Sequence, residues 1–522
     1  MNRPSGASAS LSPLVLPARD VAPRTPHFSL PTRVVRSTAL ARRFNRLARS
    51  QQTTVEVVLA FVMPPLLGFL VYLPLARWAP AVASTWFWLL FGAMVVTTLM
   101  ILLEIARAHR FPEPPVGRVA DADLPRVATV VAAYLPNEEA TLEDALRAHL
   151  AMDYPVGRHV VVLAYNTPEP MALEARLADW SMTEGRLLVV KVAGSTSKVE
   201  NVEAALRLLE GEVDVIGIFD ADHHPHPMAA RRAAQWIGDA AGERRFDVVQ
   251  GQCAIRNVEE SWVTKLVAAE FATLYAVAHP GRTVVNDFGI FGGSNGWWRA
   301  PVLQELRLDR HMLTEDIDVT ARALAAGHRL GTDPRILSTE LAPVTWSALW
   351  RQRMRWSQGW LEVSLRHLPT LMADRRLSAV QRRGIGFLFG WRIVHPWLAT
   401  QMLPLVAAQV LVGPGPIHPF LPFFLLTGLL INGTPVAQAI AGNRLASPGI
   451  AHRPRLFAGF ALLSIAFYAE AKMVGNRAAL VRHLLGTHTW DVTTRGRDRR
   501  PARTIGTAMP AGGPALAMRE AS

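Results

Sequence analysis

Apolar positions along the chain follow two patterns. Long, continuous apolar runs extend from Val55 to Ala76 and from Val82 to Ala106, and they return from Gly384 to Val412 and from Pro419 to Ala441. Each run has about the 20 residues that a helix needs to cross a bilayer. Between the two pairs of runs, short apolar stretches alternate with amphipathic ones. The pattern predicts two membrane-spanning hairpins that flank a domain of alternating strands and helices.

Four short apolar runs in the middle region have the character of buried strands: Arg126 to Ala133, His159 to Ala164, Leu187 to Val192 and Val213 to Phe219. The amphipathic stretches between them predict helices. This alternation predicts an α/β domain with a doubly wound, mainly parallel sheet. Ligands of such domains bind beyond the carboxyl ends of the strands. Asp220 directly follows such an end, which makes it a candidate ligand-binding residue.

Buried helices of a soluble protein are the alternative interpretation of the long apolar runs. Apolar residues make up 50% of the chain, and its mean hydropathy of +0.17 is high for a soluble protein. Lys and Arg exceed Asp and Glu by 13, and arginines crowd the stretches before the first apolar run and after the last one. These positions favour anchoring against anionic lipid on the cytoplasmic side over nucleic-acid binding. We therefore predict a membrane protein without a nucleic-acid partner.

The two ends of the chain and a fifth apolar segment complete the organisation. Residues 1–50 lack the apolar core of a secretory signal and are predicted to be a disordered basic tail, and residues 501–522 a second disordered tail. Leu456 to Val474 contains Glu470 and Lys472, and as a span it would place the arginine-rich tail outside. We therefore predict an interfacial or re-entrant helix here. Four spans then leave both termini and the central domain on the cytoplasmic side of the plasma membrane.

Asp220-Ala221-Asp222 follows the apolar run Val215 to Phe219. Two carboxylates in a turn at a strand end suit a nucleotide at one and a hard divalent cation at the other, since Mg²⁺ or Mn²⁺ takes oxygen ligands and bridges diphosphate oxygens. A solvated turn is the alternative. Three histidines in the next four residues suggest zinc, but no second ligand cluster accompanies them. The single cysteine, Cys253, is interpreted as a small apolar residue on a buried strand.

Thr314-Glu315-Asp316 precedes an amphipathic stretch, which predicts a helix with Thr314 at its N-cap. Acidic residues in a first helical turn often serve only as partners of the helix dipole. The functional alternative is that Asp316 is a general base, which takes the proton of an attacking sugar hydroxyl. The motif in isolation favours the structural role.

Gln352-Arg353-Met354-Arg355-Trp356 lies just before the second group of apolar runs. Gln352 and Arg355 share one face of a predicted helix, with Trp356 beside them. An arginine can hold diphosphate, and a tryptophan can stack on a sugar ring. An ordinary amphipathic surface helix is the alternative.

In the glycine-rich stretch from Phe291 to Arg299, the glycines allow close backbone approach. Its two tryptophans suggest a saccharide platform, with a simple turn as the alternative.

The order of these motifs resembles that of membrane-embedded, cellulose-synthase-like family 2 glycosyltransferases, in the processive polysaccharide synthase branch. The resemblance extends from about Arg126 to Gly496. It rests on the Asp220-x-Asp222, Thr314-Glu315-Asp316 and Gln352-x-x-Arg355-Trp356 motifs and on further stretches in the expected order. These stretches are Ala133 to Glu138, Ser197 to Asn201, Val249 to Gly251 and Trp490 to Gly496. The last of these resembles the gating loop that closes over the donor.

The resemblance implies a GT-A catalytic domain over residues 120–370, between hairpins at 51–110 and 380–442, with an interfacial helix and gating-like loop at 455–500. It implies that Asp316 is the catalytic base, that Asp222 binds Mg²⁺ or Mn²⁺, and that substrate is held by a larger set: Asn137, Glu138, Lys198, Asp220, Glu315, Gln352, Arg355, Trp356, Thr493 and Arg495. One departure concerns the second strand, where the family's uracil-reading Asp is absent and the chain runs Ala164-Tyr165-Asn166.

These implications lead to one main prediction and two alternatives. The main prediction is an inverting hexosyltransferase that moves a hexose from a UDP-sugar to a growing polysaccharide and passes the product through the membrane. Its partners would be the UDP-sugar donor, a saccharide or lipid acceptor, membrane lipid and an accessory export subunit. The alternatives are a non-processive transferase that forms a glycolipid and a catalytically inactive membrane scaffold. The presence of Asp220, Asp222 and Asp316 argues against the inactive scaffold.

Overall fold

A computed structural model of the protein describes residues 14–18, 43–110, 120–237, 246–413 and 420–485. Within these residues, nine strands form one sheet: Leu14–Pro17 (β1), Val127–Tyr134 (β2), His159–Asn166 (β3), Leu187–Ala193 (β4), Val215–Asp220 (β5), His224–Pro225 (β6), Val248–Ile255 (β7), Gly296–Arg299 (β8) and Leu330–Glu340 (β9). The four strands predicted from apolar runs correspond to β2, β3, β4 and β5.

The sheet is mixed, with the order β1-β4-β3-β2-β5-β8-β7-β9-β6. The strands from β1 to β5 in this order pair in parallel, and β7 pairs in parallel with β9. β8 is antiparallel to both of its neighbours, and β6 is antiparallel to β9. The expected α/β domain is confirmed, but the sheet departs from a doubly wound, parallel one where β8 inserts between β5 and β7.

In the described residues, 19 α-helices surround the sheet or extend from it. The α-helices are Arg49–Val57 (α1), Met63–Trp78 (α2), Pro80–Arg107 (α3), Leu135–Glu138 (α4), Leu142–Leu150 (α5), Ala172–Thr183 (α6), Lys198–Leu208 (α7), Ala229–Ile237 (α8), Trp262–Thr273 (α9), His279–Asn286 (α10), Ala300–Leu306 (α11), Glu315–Ala325 (α12), Trp346–Ala373 (α13), Ala379–Ile385 (α14), Arg392–Leu398 (α15), Met402–Val412 (α16), Leu421–Leu445 (α17), Pro454–Leu463 (α18) and Ala469–Leu484 (α19). π-helical turns at Val58–Val62, Leu274–Ala278, Gly386–Trp391 and Ser464–Tyr468 join consecutive helices.

Two apolar layers, one on each face of the sheet, form the core of the central domain. Successive residues of a strand point to opposite faces, so β2 contributes Val130 to one layer and Val131 to the other. α7 and α12 cover the first layer, and α5 and α8 cover the second. Because both faces are covered, the strands are apolar almost throughout, and only the strand ends are left for polar chemistry.

Four helices in the described residues are long and apolar enough to cross a membrane: Ser50–Trp78, Pro80–Arg110, Leu421–Leu445 and Pro454–Leu484. Three correspond to predicted spans. The fourth contains the segment that was predicted to lie at the interface. Residues 384–412, predicted as a span, form the successive helical pieces α14, α15 and α16 with a π-turn between them. Length and hydropathy alone therefore rank these two segments in the opposite order from the prediction.

The N-terminal prediction needs correction at one point. Leu14–Pro17 was assigned to a disordered tail but forms β1, which pairs in parallel with Leu187–Ala193. Leu14 and Val15 are more than half exposed, so backbone hydrogen bonds to the open sheet edge and the partial burial of Leu16 hold this strand. An apolar run of four residues is too short to distinguish such an edge strand from coil.

Candidate active site

The carboxyl ends of the central parallel strands bring the predicted acidic residues to one edge of the sheet. Asp220 ends β5, where it is paired with Ala132 of β2. Its backbone N–H donates to Ser294 Oγ at 3.0 Å, which joins the strand end to the glycine-rich loop before β8. Asn137 and Glu138 lie in the short helix α4 that directly follows β2, so they belong to the same edge.

Lys198 is the centre of the polar cluster at this edge. Its Nζ lies 2.6 Å from Asp220 Oδ1 and 4.0 Å from the Glu315 carboxylate, and it also donates to the Gly293 carbonyl oxygen. Burial opposes the charge on Lys198, but Asp220, Glu315 and Asp316 together raise the pKa of its ammonium group. The predicted residues of three separate motifs therefore meet at one cation.

Asp316 carries a carboxyl whose pKa is raised toward neutrality. Burial raises the pKa of its carboxyl to about 7, the Glu315 charge adds to the rise, and the Ile317 N–H, Lys198 and Arg355 oppose it. Oδ1 accepts the Ile317 N–H at 2.9 Å. Oδ2 faces Gly293, whose φ of +87° and whose lack of a Cβ allow the loop to approach, since a Cβ there would lie 3.0 Å from this oxygen.

Asp222 is fully buried, and its Oδ2 accepts the Leu341 N–H at 3.1 Å. Ligand atoms of Asp220, Asp222 and His223 all lie within 4.8 Å of one another. Two carboxylates and one imidazole fit Mg²⁺ or Mn²⁺, which favour oxygen ligands and leave positions for diphosphate oxygens. The residues present therefore fit the predicted divalent ion.

A second group of candidate ligands, not foreseen from the sequence, shares His223 with the first. Ligand atoms of His223, Cys253 and Glu340 also lie within 4.8 Å of one another. Burial lowers the pKa of His223, but Glu340 and the two aspartates raise it overall. Cys253 is buried on β7 as predicted. The expectation that no second ligand cluster accompanies the histidines is therefore wrong, because β7 and β9 bring Cys253 and Glu340 to the turn that follows β5.

The glycine-rich loop is held from beneath by Gln250 of β7. Gln250 Oε1 accepts the Gly292 N–H at 2.7 Å, and its Nε2 donates to the Ser294 carbonyl oxygen at 2.9 Å. The two tryptophans after the loop, Trp297 and Trp298, are fully buried on opposite faces of β8. They belong to the core, so the interpretation of these tryptophans as a saccharide platform is wrong.

α13 carries the residues of the Gln-x-x-Arg-Trp motif on different sides. Arg355 acts on Asp316 electrostatically, and its Nε is buried without a hydrogen-bond partner in the described parts of the chain. Trp356 instead lines a cavity of about 280 Å³ on the side of the apolar helices, together with Trp346, Trp350 and other residues. Gln352 Oε1 accepts from Arg353 at 3.0 Å. Arg355 thus acts on the acidic site, whereas Trp356 lines a cavity, called here the aromatic cavity, whose lining also includes the cations Arg353, Arg392 and Lys472.

Thr314 precedes α12 as predicted, but its side chain makes no capping hydrogen bond, and Oγ1 is buried without a partner in the described residues. It packs against α13 instead. A Cβ on Gly359 would lie 2.4 Å from Thr314 Cγ2. This contact fixes the distance between the helix that carries Asp316 and the helix that carries Arg355.

Asn166, at the end of β3, stands where the resemblance expects an Asp. Its Nδ2 donates to the Ser195 carbonyl oxygen at 3.0 Å, and its Oδ1 accepts from Asn201 at 2.8 Å. Both ends of this amide therefore hold protein groups together. Thr493 and Arg495, predicted in the gating-like loop, lie outside the described residues.

Sequence reasoning missed Glu270, a partly buried acid on α9. It contacts Arg353 within the predicted motif and two residues of the 454–484 segment. The available signal was a single acid in the mainly apolar helix Trp262–Thr273.

Residues 215–432 match the protein family described as "Glycosyl transferase family group 2". The match begins at β5 and ends within α17, so it contains Asp220, Asp316 and the Gln-x-x-Arg-Trp motif. This segment is therefore similar to a family 2 glycosyltransferase domain, in agreement with the family predicted from the motifs. The cellulose-synthase-like branch stays a prediction.

Curated relatives are similar over about half of the chain. "Probable glycosyltransferase YdaM" of Bacillus subtilis is 24% identical over 49% of this chain and 60% of its own length. "Poly-beta-1,6-N-acetyl-D-glucosamine synthase" of Staphylococcus epidermidis is 25% identical over 46% and 57%. "Beta-monoglucosyldiacylglycerol synthase" of Synechocystis is 26% identical over 52% and 55%. The chain spans less than two thirds of the length of each.

Among solved structures, a mannosyltransferase from Pyrobaculum calidifontis in complex with GDP-Man and Mn²⁺ is 19% identical. It covers 72% of this chain and 98% of its own, with a TM-score of 0.45.

Proposed function

We propose that this protein is an inverting hexosyltransferase that moves a hexose from a UDP-sugar to an acceptor hydroxyl at the cytoplasmic face of the membrane. One observation carries the proposal: the Asp316 carboxyl faces the loop glycine Gly293, whose carbonyl oxygen accepts from Lys198, and Lys198 also pairs with Asp220 at the strand end. Lys198 and Arg355 both act electrostatically on Asp316. An anionic leaving group needs the cations, and a neutral hydroxyl nucleophile needs the base.

The reaction is a single displacement. Asp316 Oδ2, which faces Gly293, takes the proton of the acceptor hydroxyl as the hydroxyl oxygen attacks the anomeric carbon. The bond from that carbon to the diphosphate oxygen breaks, and UDP leaves with the electron pair. Arg355, whose Nε has no other partner in the described residues, and Lys198 stabilise the diphosphate charge. Attack from the face opposite the leaving group inverts the anomeric configuration.

Asp222, with Asp220 and His223, would hold Mg²⁺ or Mn²⁺. When bound, the ion supplies charge neutralisation to the leaving diphosphate. The remaining substrate contacts are assigned to residues at the same sheet edge and on α13, namely Asn137, Glu138, Glu315, Gln352 and Trp356, with Thr493 and Arg495 as a closing contact from the C-terminal loop.

We assign the aromatic cavity beneath α13 to the acceptor and favour a growing polysaccharide. The cavity adjoins Trp356 and is lined by Trp346, Trp350 and Tyr468, whose flat faces suit sugar rings. A relative is named as a polysaccharide synthase. The second candidate product is a glycolipid, because the cavity opens among apolar helices and another relative is named as a glucosyldiacylglycerol synthase.

We propose that residues 454–484 lie along the membrane interface, as the charge pattern predicts. Arg453 pairs with Glu259 of the central domain, and Lys472 pairs with Glu270. Nineteen residues of helix extend about 28 Å, yet both of these points contact the central domain. Arg482 near the end of the segment pairs with Glu56 at the start of the first apolar helix. This arrangement keeps the catalytic domain and both termini on the cytoplasmic side.

The test is transfer by the purified full-length protein in lipid, supplied with Mn²⁺ and a panel of radiolabelled UDP-glucose, UDP-galactose and UDP-N-acetylglucosamine. Sizing of the product distinguishes a polymer from a glycolipid. Asp316→Asn is the matched inactive control, because it keeps the size of the side chain. Absence of transfer from every donor, or equal transfer by the variant, would contradict the proposal.

A further inference from the structure

Glu270 of α9 accepts hydrogen bonds from three cationic or hydroxyl donors. Arg353 Nη2 lies 2.6 Å from Glu270 Oε2, Tyr468 Oη lies 2.7 Å from the same oxygen, and Lys472 Nζ lies 3.2 Å from Oε1. The Glu270 side chain is only 13% exposed. Burial opposes its charge, but Arg353, Lys472 and Tyr468 hold the pKa of this carboxyl at about 2. The carboxylate is therefore charged at every physiological pH.

Arg353, which is held by Glu270, also contacts two residues of the motif, Gln352 and Trp356. Its Nη1 donates to Gln352 Oε1 at 3.0 Å, and its guanidinium carbon lies 4.2 Å from the centre of the Trp356 ring. Because the Gln352 oxygen is used in this way, its amide NH₂ is the end that remains for a ligand. The cation over one face of Trp356 likewise fixes the plane of the ring.

The other two donors come from the 454–484 segment. Tyr468 and Lys472 line the aromatic cavity together with Arg353 and Trp356. One carboxylate thus connects three separate parts of the chain: α9 of the central domain, α13 with the motif, and the final apolar helix. The Arg453–Glu259 ion pair also connects the central domain to this segment. This pair is exposed and does not line the cavity.

We propose that Glu270 is the positioning residue of the acceptor site, which acts through Arg353 to set the orientation of Trp356 and Gln352. It touches no reacting atom. Its effect is to keep the Trp356 ring and the Gln352 amide in a fixed arrangement, so that an acceptor entering from the cavity meets them without reorganisation. This inference rests on the proposed function, because it assumes that Trp356 contacts the acceptor.

The orientation of the Trp356 ring can be measured without transferase activity. The protein is labelled with 5-fluorotryptophan, and the Trp356 signal among the 15 tryptophans is identified by its loss in Trp356→Phe. Glu270→Gln releases Arg353, so the Trp356 fluorine resonance should shift or broaden. Glu259→Gln, which breaks the exposed tie to the same segment, should leave that resonance unchanged. An unchanged Trp356 resonance in Glu270→Gln overturns the proposal.

Kinetics then test the role in transfer. Transfer from radiolabelled UDP-glucose is measured against graded amounts of a detergent extract of the host membranes as the acceptor source. In Glu270→Gln the half-saturating amount of acceptor should rise by about tenfold, as loss of charged hydrogen bonds predicts. The half-saturating UDP-glucose concentration should change by less than about twofold, since Lys198 and Arg355, which are assigned to the donor, do not line the cavity.

A double-mutant cycle separates positioning from general damage. If Glu270 acts through Trp356, then Glu270→Gln should add little to the acceptor defect of Trp356→Ala. Independent, additive effects overturn the proposal, as does an equal rise in the donor requirement. Tyr468→Phe removes a single donor to Glu270 and keeps the ring. It serves if Glu270→Gln does not fold, and it should give a smaller acceptor defect of the same kind.

Different results contradict the proposed function and the positioning role of Glu270. Wild-type protein without transfer contradicts the proposed function, while the fluorine resonance still decides whether Glu270 orients Trp356. Wild-type transfer with an unchanged acceptor requirement in Glu270→Gln contradicts only the positioning role.

Discussion

Replacing Asp316 with Asn removes a partly buried carboxyl. Burial and the neighbouring Glu315 charge raise the pKa of this carboxyl to about 7. The variant keeps the shape of the side chain but cannot accept a proton. If Asp316 is the general base, transfer should fall by roughly 10²- to 10⁴-fold while UDP binding persists. The same substitution should also make the folded protein more stable at pH 8, because a buried charge is removed.

The magnitude follows from proton linkage. A pKa raised from the ordinary 3.8 to about 7 corresponds to at most about 4 kcal/mol of unfolding free energy. At a pH between these two values, the Asp316 carboxyl is protonated in the folded wild type and ionised in the unfolded chain. Its stability therefore falls as the pH rises from about 4 to about 7. Asn lacks this dependence, so the advantage of the variant should be small at pH 4.5 and largest above pH 7.

The measurement is thermal unfolding of both proteins in detergent at pH 5, 6, 7 and 8, without donor or metal, followed by tryptophan fluorescence. Asp318→Asn is the matched control, two residues further along the same helix. Burial opposes the Asp318 charge, but His367 and Arg322 hold the pKa of this carboxyl at about 2. Its charge stabilises the fold above about pH 4, and this stabilisation is lost only as the pH falls through about 2. Asp318→Asn should therefore destabilise the protein at every pH tested.

Two results would refute this reasoning. Near-normal transfer by Asp316→Asn would mean that Thr314-Glu315-Asp316 only begins a helix. A variant no more stable than wild type at pH 8 would mean that the Asp316 carboxylate is not held in a destabilised state.

Three further predictions concern the metal, the packing of α13 and the C-terminal loop. EDTA should abolish transfer and Mg²⁺ or Mn²⁺ should restore it, whereas full turnover in chelator would contradict the Asp220-x-Asp222 assignment. Gly359→Ala places a methyl group 2.4 Å from Thr314 Cγ2 and should lower kcat by about 10- to 100-fold through misplacement of Arg355. Gly459→Ala, with nothing within 4 Å of the new Cβ, is its control. A cysteine at Thr494, with Cys253 replaced, should react only with a reagent added from the cytoplasmic side, and reaction from outside would mean that residues 454–484 cross the membrane.

Much of the local structure could be predicted from the sequence because it depends on local periodicity. The apolar run before Asp220 predicts a strand that ends there, and the structure ends β5 at this residue. Thr314-Glu315-Asp316 likewise predicts the start of α12. Strand alternation and helix starts are set by neighbouring residues, and the same holds for the length of the apolar segments.

The tertiary structure decided everything that depends on which distant segments meet. Trp297 and Trp298 have the composition of a binding platform, yet the insertion of β8 between β5 and β7 buries both. The short apolar stretch Leu14–Pro17 becomes a strand only because β4 offers an open edge.

The chemistry of the site shows the same division. The sequence supplies an aspartate at position 316, but its pKa depends on burial under the glycine-rich loop and on Glu315, Lys198 and Arg355. Glu270 belongs to no recognised motif. Its contacts arise only because α9, α13 and the 454–484 segment meet in the folded chain. Desolvation and Coulomb interactions act over a few ångströms in space and are indifferent to separation along the chain. The sequence therefore determined which functional groups are present and where each local element begins, whereas packing alone determined their charge states and their partners.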